Sequence, residues 1–118
     1  MTSEEESVRR VLITEFESIV EIGVRDLLVA GGCEVIGPHS SLNRSLISEL
    51  RPDAVVVDMD DLETSAVAEG LIPEFPGIPL VECSSSTLRM RVFPAYRFGK
   101  SVDLPMSADL LIQAVTYP

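Results

Sequence analysis

Pro52-Asp53-Ala54-Val55-Val56-Val57-Asp58 sets four small or β-branched apolar residues in a row ahead of a carboxylate, with Met59-Asp60-Asp61 behind it. An unbroken apolar run of this length fits a strand buried on both faces, as in a parallel sheet covered by helices on each side. In such sheets chemistry gathers at the carboxyl ends of the strands. Asp58 stands at that end, where withdrawing a carboxylate from water is costly unless the group is used.

The segments before this run alternate between strand and helix patterns. Val8 to Glu15 predicts a first strand centred on Val11-Leu12-Ile13. Ser18 and Glu21 then have the spacing of a capping box, and Val20, Val24, Leu27 and Leu28 repeat along one helical face. Gly31-Gly32 ends that helix. Cys33 to Ile36 predicts a second strand closed by Gly37-Pro38, and Ser40 or Ser41 is placed to cap a second helix carrying Leu42, Leu46, Ile47 and Leu50.

After the central run, Asp60 or Asp61 is placed to cap a third helix that Pro73 halts. Ile78 to Val81 predicts a fourth strand running into Glu82-Cys83-Ser84. Residues 85–100 carry Ser85-Ser86-Thr87 as a cap but also Pro94 and Gly99, which predicts a short or irregular fourth helix. Ser101 to Leu104 predicts a fifth strand, and Ser107 caps a last helix with Leu110, Leu111, Ala114 and Val115 on its apolar face. Five strands alternating with five helices imply right-handed crossovers and an α/β three-layer sandwich. At this length the expected arrangement is a flavodoxin-like (βα)5 fold with a parallel five-stranded sheet of order 2-1-3-4-5.

The 118 residues, 46% of them hydrophobic and 5% aromatic, suit one domain with one aliphatic core. A formal net charge of −10 argues against nucleic acid, whose phosphates need a basic face, and favours a protein partner or a cation. The opening Met1-Thr2-Ser3-Glu4-Glu5-Glu6-Ser7 is acidic, unlike a signal peptide, and no apolar run approaches the roughly 20 residues of a membrane span. A cytoplasmic setting is expected. Cys33 and Cys83 fall on strands two and four, three strand spacings or roughly 14 Å apart, too far for a disulfide. No glycine-rich phosphate loop or nucleophile elbow is present, and His39, the only histidine, has no catalytic partner and reads as an exposed loop residue.

From Val11 to about Val115 the chain resembles the receiver domains of two-component response regulators. The likeness is carried by Val11-Leu12-Ile13, Leu27-Leu28-Val29-Ala30-Gly31-Gly32, Ile78-Pro79-Leu80-Val81, Leu104-Pro105 and, most specifically, Arg51-Pro52-Asp53 ahead of the apolar run to Asp58. The resemblance implies that Asp58 is the phosphoacceptor, attacking a phosphohistidine on a histidine kinase or phosphotransfer protein. Attack by a carboxylate on an anionic phosphoryl group needs Mg²⁺ between them. The family holds that ion with an acidic pair after strand one, and sets a Ser or Thr after strand four and a Lys after strand five on the phosphoryl oxygens.

Here the acidic pair aligns with Glu15 and Phe16, Ser84 supplies the hydroxyl, Leu104 stands where the Lys is expected, and Ser101 takes the place of the switch aromatic. The proline usual four residues after the phosphoacceptor is Leu62. Mg²⁺ would then fall to Glu15, Asp58 and Asp60, a weak set. For Glu15, Glu17 and Asp60 two readings stay open, a cation site or capping and solvation, whereas Asp61 and Glu63 read as helix-start carboxylates. Loss of a cation and of a metal ligand acts on the same step.

Arg89, Arg91, Arg97 and Lys100 gather beside the predicted fourth helix with Phe93, Tyr96 and Phe98. In the family, the face of helix four, strand five and helix five is the partner and dimer surface. These residues therefore stand either for a docking patch, taking an acidic partner or a second copy, or for a solvated helix with its aromatics packed inward. The expectation is one receiver-like domain over residues 1–118, with 1–7 a flexible acidic N-terminus and no attached output domain. It is a non-enzymatic, cytoplasmic signalling domain with a degenerate phosphorylation site that acts through protein contacts. A working phosphoacceptor and a small flavodoxin-like enzyme or ligand-binding protein are the alternatives.

Overall fold

Asp53, just ahead of the central run, ties the sheet together at its start. Its carboxylate accepts the Arg10 backbone N–H at 2.8 Å while its own N–H donates to the Arg10 carbonyl at 2.7 Å. The computed structural model describes residues 8–96 and 100–116. Its elements are β1 (Arg10–Thr14), α1 (Ser18–Ala30), β2 (Glu34–His39), α2 (Arg44–Leu50), β3 (Ala54–Asp58), α3 (Leu62–Leu71), a short 3₁₀ turn (Ile72–Glu74), β4 (Leu80–Ser84), β5 (Arg89–Phe93), β6 (Val102–Pro105) and α4 (Ala108–Thr116).

The six strands lie in one sheet in the order β2-β1-β3-β4-β5-β6. The first four are parallel, joined by crossovers through α1, α2 and α3, in the expected relative order. β3 lies inside the sheet with Ala54 through Val57 fully buried, which is what its apolar run demands. Ala54 and Val56 face α1 and α4 with Val24, Leu28, Leu111 and Val115, whereas Val55 and Val57 face α2 and α3 with Ile47 and Ala68. The layered α/β architecture is therefore present.

The parallel five-stranded sheet is not. Residues expected to form a short fourth helix form β5, antiparallel to β4, and β6 pairs antiparallel with β5. The sheet is mixed, and the strand expected beside β4 lies one place further out, at the edge. The physical reason is local. Met90 and Val92 alternate with Arg91 and Phe93, a period of two, and Ser85 to Leu88 make a turn too short for any crossover. Arg89 to Phe93 thus returns as a hairpin strand, with Met90 wholly buried beside Cys83.

Several caps also move. The cap position of α1 is Glu17, without a side-chain hydrogen bond, rather than Ser18. Asn43 caps α2 by accepting the Leu46 N–H at 2.8 Å, in place of Ser40 or Ser41. Asp61 caps α3 and Ser107 caps α4, both as expected. Gly31 ends α1 against α4, where a Cβ would collide with the Ile112 side chain. Cys33 and Cys83 are both free and buried, as the strand spacing required. His39, expected in an exposed loop, is half-buried as the last residue of β2. The acidic segment 1–7 and the residues Arg97 and Phe98 lie outside the described residues. No helix among the described residues is long and apolar enough to cross a membrane.

Candidate functional site

Asp58 ends β3 half-buried, opposite Cys83 of β4. Its Oδ1 accepts the backbone N–H of Asp60 at 2.9 Å, which turns the chain sharply at the strand end. Burial pushes its carboxyl above the usual range. The Asp60 N–H opposes that shift, and the nearby charges of Asp60, Asp61 and Glu17 reinforce it. Among the described residues no Arg or Lys forms an ion pair with it.

Asp60 and Ser84 are brought together, but by each other. The Ser84 hydroxyl is buried and donates to Asp60 Oδ1 at 2.8 Å while accepting the N–H and hydroxyl of Thr87. In all, Asp60 accepts five hydrogen bonds from the turn that opens β5, from the hydroxyls of Ser84, Ser85 and Ser86 and the N–H groups of Ser85 and Ser86. Those donors, the Ser84 hydroxyl foremost, hold its carboxyl below the usual range. Ser84-Ser85-Ser86 is thus a turn clamped on a carboxylate, where the resemblance implies a hydroxyl offered to a phosphoryl group.

The implied Mg²⁺ does not fit this donor set. Asp60 is saturated by the turn, and Phe16, at the second position of the expected acidic pair, is 9% exposed and packs in the core between the sheet and α1. Glu15 is exposed at the end of β1. Among the described residues no group of three or more His, Cys, Asp or Glu side chains is placed to hold one metal ion. Leu104 lies on the edge strand β6, with β5 between it and β4, so a lysine there would stand a strand further from Asp58 than the family pattern places it.

The expected docking patch is rearranged as well. Arg89 and Arg91 lie on a strand and not on a helix, Lys100 is exposed just before β6, and Arg97 lies outside the described residues. Arg91 is not free. Its Nε donates to Asp103 Oδ1 of β6 at 3.1 Å. Phe93 packs beside α3 and Tyr96 is exposed.

Two polar side chains escaped the sequence reading. Glu82, in the middle of β4, is 0% exposed, accepts the Ser65 hydroxyl of α3 at 2.6 Å through Oε2, and lies 3.9 Å from Arg91 through Oε1. Oε1 has no hydrogen-bond partner among the described residues. Burial first, then the neighbouring Glu69, pushes its carboxyl up to about 7 against the pull of Ser65 and Arg91. Thr14, at the end of β1, is buried with its hydroxyl likewise unpartnered. A charged residue inside the apolar run Ile78 to Cys83 was the available signal for Glu82. The helix assigned to residues 85–100 hid its neighbour Arg91. No family model, curated protein or solved structure matches this chain.

Proposed function

We infer that this chain is a receiver-like signalling domain that acts through protein contacts, with Asp58 retained at the strand end but stripped of the partners that phosphoryl transfer needs. One observation carries the reading: the Ser84 hydroxyl and the Asp60 carboxylate are spent on each other, closing the β4–β5 turn. A phosphoryl group on Asp58 would meet a cluster of carboxylates, with no Arg or Lys paired to Asp58 among the described residues. The non-parallel strand β5 occupies the place of the crossover that would return the chain to a parallel β6 beside β4. The parallel order of the first four strands, with Asp58 at the end of the third, supports the receiver ancestry.

The working phosphoacceptor is favoured by one fact, that Asp58 is half-buried and not sealed in the core. Incubation with Mg²⁺ and acetyl phosphate or phosphoramidate, followed by intact mass, separates the two. Degeneracy predicts no added phosphoryl mass. An adduct that Asp58→Asn abolishes would make Asp58 a working site.

A further inference from the structure

Glu82 is the charged side chain that the reading of Asp58 leaves without work. Wholly buried in β4, it faces α3, on the opposite side of the sheet from the core that Cys83 joins. The Ser65 hydroxyl of α3 donates to its Oε2 at 2.6 Å and lies 3.4 Å from Oε2 of Glu69, one helical turn further on. The Glu69 carboxyl thus stands beside Glu82 and is its hydrogen-bond partner when a proton lies between them. Without that proton the two carboxylates have no donor to share, and Glu82 Oε1 is left unmatched. Across the sheet Glu82, Arg91 and Asp103 form a row on adjacent strands, because β5 returns antiparallel and sets Arg91 opposite Glu82. Arg91 Nε donates to Asp103 at 3.1 Å, while its Nη1 stands 3.9 Å from Glu82 Oε1, beyond hydrogen-bond length. On the other flank β3 offers Glu82 only the apolar Val57. The charged groups facing Glu82 are therefore Glu69 from α3 and Arg91 from β5, with Asp103 of β6 behind Arg91.

We propose that Glu82 and Glu69 share one proton between β4 and α3, and that its loss moves Arg91 from Asp103 onto this carboxylate pair, untying β6 from β5 at their side chains. Glu69 is exposed and Glu82 is not, so the proton leaves to water through Glu69. Like charges this close oppose each other's ionisation, and a cation is what relieves them. Arg91 supplies one at small cost. Its pair with Asp103 is open to solvent on both sides, a class of ion pair that contributes little. A buried carboxylate attracts the same guanidinium more strongly, because water no longer screens the pair. A movement of about 1 Å brings Nη1 within bonding distance of Oε1. Burial and Glu69 together hold the Glu82 proton up to about 7, so the exchange falls near neutral pH. β6 is the edge strand, and Asp103 is paired there below that point and unpaired above it. None of this depends on whether Asp58 takes a phosphoryl group.

The test is an NMR titration of the full chain across neutral pH, read at side-chain carboxyl carbons, the Arg91 guanidinium and backbone amides. The Glu82 and Glu69 carboxyl carbons should shift together, with a midpoint of about 7. The Arg91 Nε signal, the Asp103 carboxyl carbon and the Val102 to Leu104 amides should shift at that same midpoint. Glu82→Gln keeps the shape and the Ser65 contact, and should abolish the neutral-pH response at Arg91 and Asp103. Glu69→Gln, at an exposed helix position, replaces a like charge with a donor and should lower the Glu82 midpoint. Asp103→Asn releases Arg91 to Glu82 from the outset and should lower it too. Titration of Glu82 with Arg91 and Asp103 unmoved overturns the proposal. So does a β6 response that survives Glu82→Gln, or a midpoint that Glu69→Gln leaves unchanged.

Discussion

Glu82 and Asp60 show how the same side-chain chemistry is pushed in opposite directions by its surroundings. Asp60 is exposed but surrounded by donors, so its carboxylate is favoured; Glu82 is sealed with one oxygen unmatched, so its charge is opposed. A folded-state value raised from 4.5 to about 7 means that the native chain keeps a proton which the unfolded chain releases across that window. Stability from Glu82 therefore falls as pH rises from about 4.5 to about 7. Replacing it with Gln should raise stability by ~1–3 kcal/mol at pH 8 and change little at pH 5, as measured by urea unfolding. For Asp60 the sign reverses. Its contribution is present above the ordinary carboxylate value and is lost as pH falls through its depressed one. Asp60→Ala should cost about 2 kcal/mol at neutral pH and speed amide exchange in Ser85 and Ser86, because their N–H groups lose their acceptor.

At the scale of elements, β5 is the segment on which expectation and structure part. As a hairpin strand it buries Met90 completely against both helices on one face of the sheet, so Met90→Ala should destabilise by about 2–4 kcal/mol in chemical denaturation. A methionine on a short surface helix would cost far less. The central strand, the crossovers through α1, α2 and α3, and the last helix were legible because each has one dominant period: an unbroken apolar run at Ala54 to Val57, and helical spacing at Val24 and Leu28. β5 was not legible because five residues carry too little periodicity to outweigh cap-like Ser85-Ser86-Thr87 and the family pattern of strand then helix. The candidate site was legible in its members, Asp58, Asp60 and Ser84, but not in its wiring. Which oxygen a hydroxyl serves depends on the turn, and the turn depends on β5. Glu82 read as part of the strand's end with Cys83 and Ser84, although it lies in the middle of β4, which ends at Ser84.

Across the whole molecule, a net charge of −10 is spread over 118 residues, and self-repulsion opposes compactness. Exposed ion pairs such as Arg44 with Glu74 recover little of this. Raising ionic strength from about 0.01 M to about 0.15 M shortens the screening length from about 30 Å to about 8 Å and should raise the thermal midpoint by a few degrees. A midpoint that falls instead would place short-range pairs above long-range repulsion. The wiring of the Asp60–Ser84 turn and the burial of Met90 both depend on an antiparallel strand standing between β4 and β6. Interstrand proton contacts by NMR test that strand directly. Close contacts between Cys83 and Met90 and between Met90 and Leu104 are the predicted result; successive helical amide contacts through residues 86–94, with β6 paired directly to β4, would contradict it.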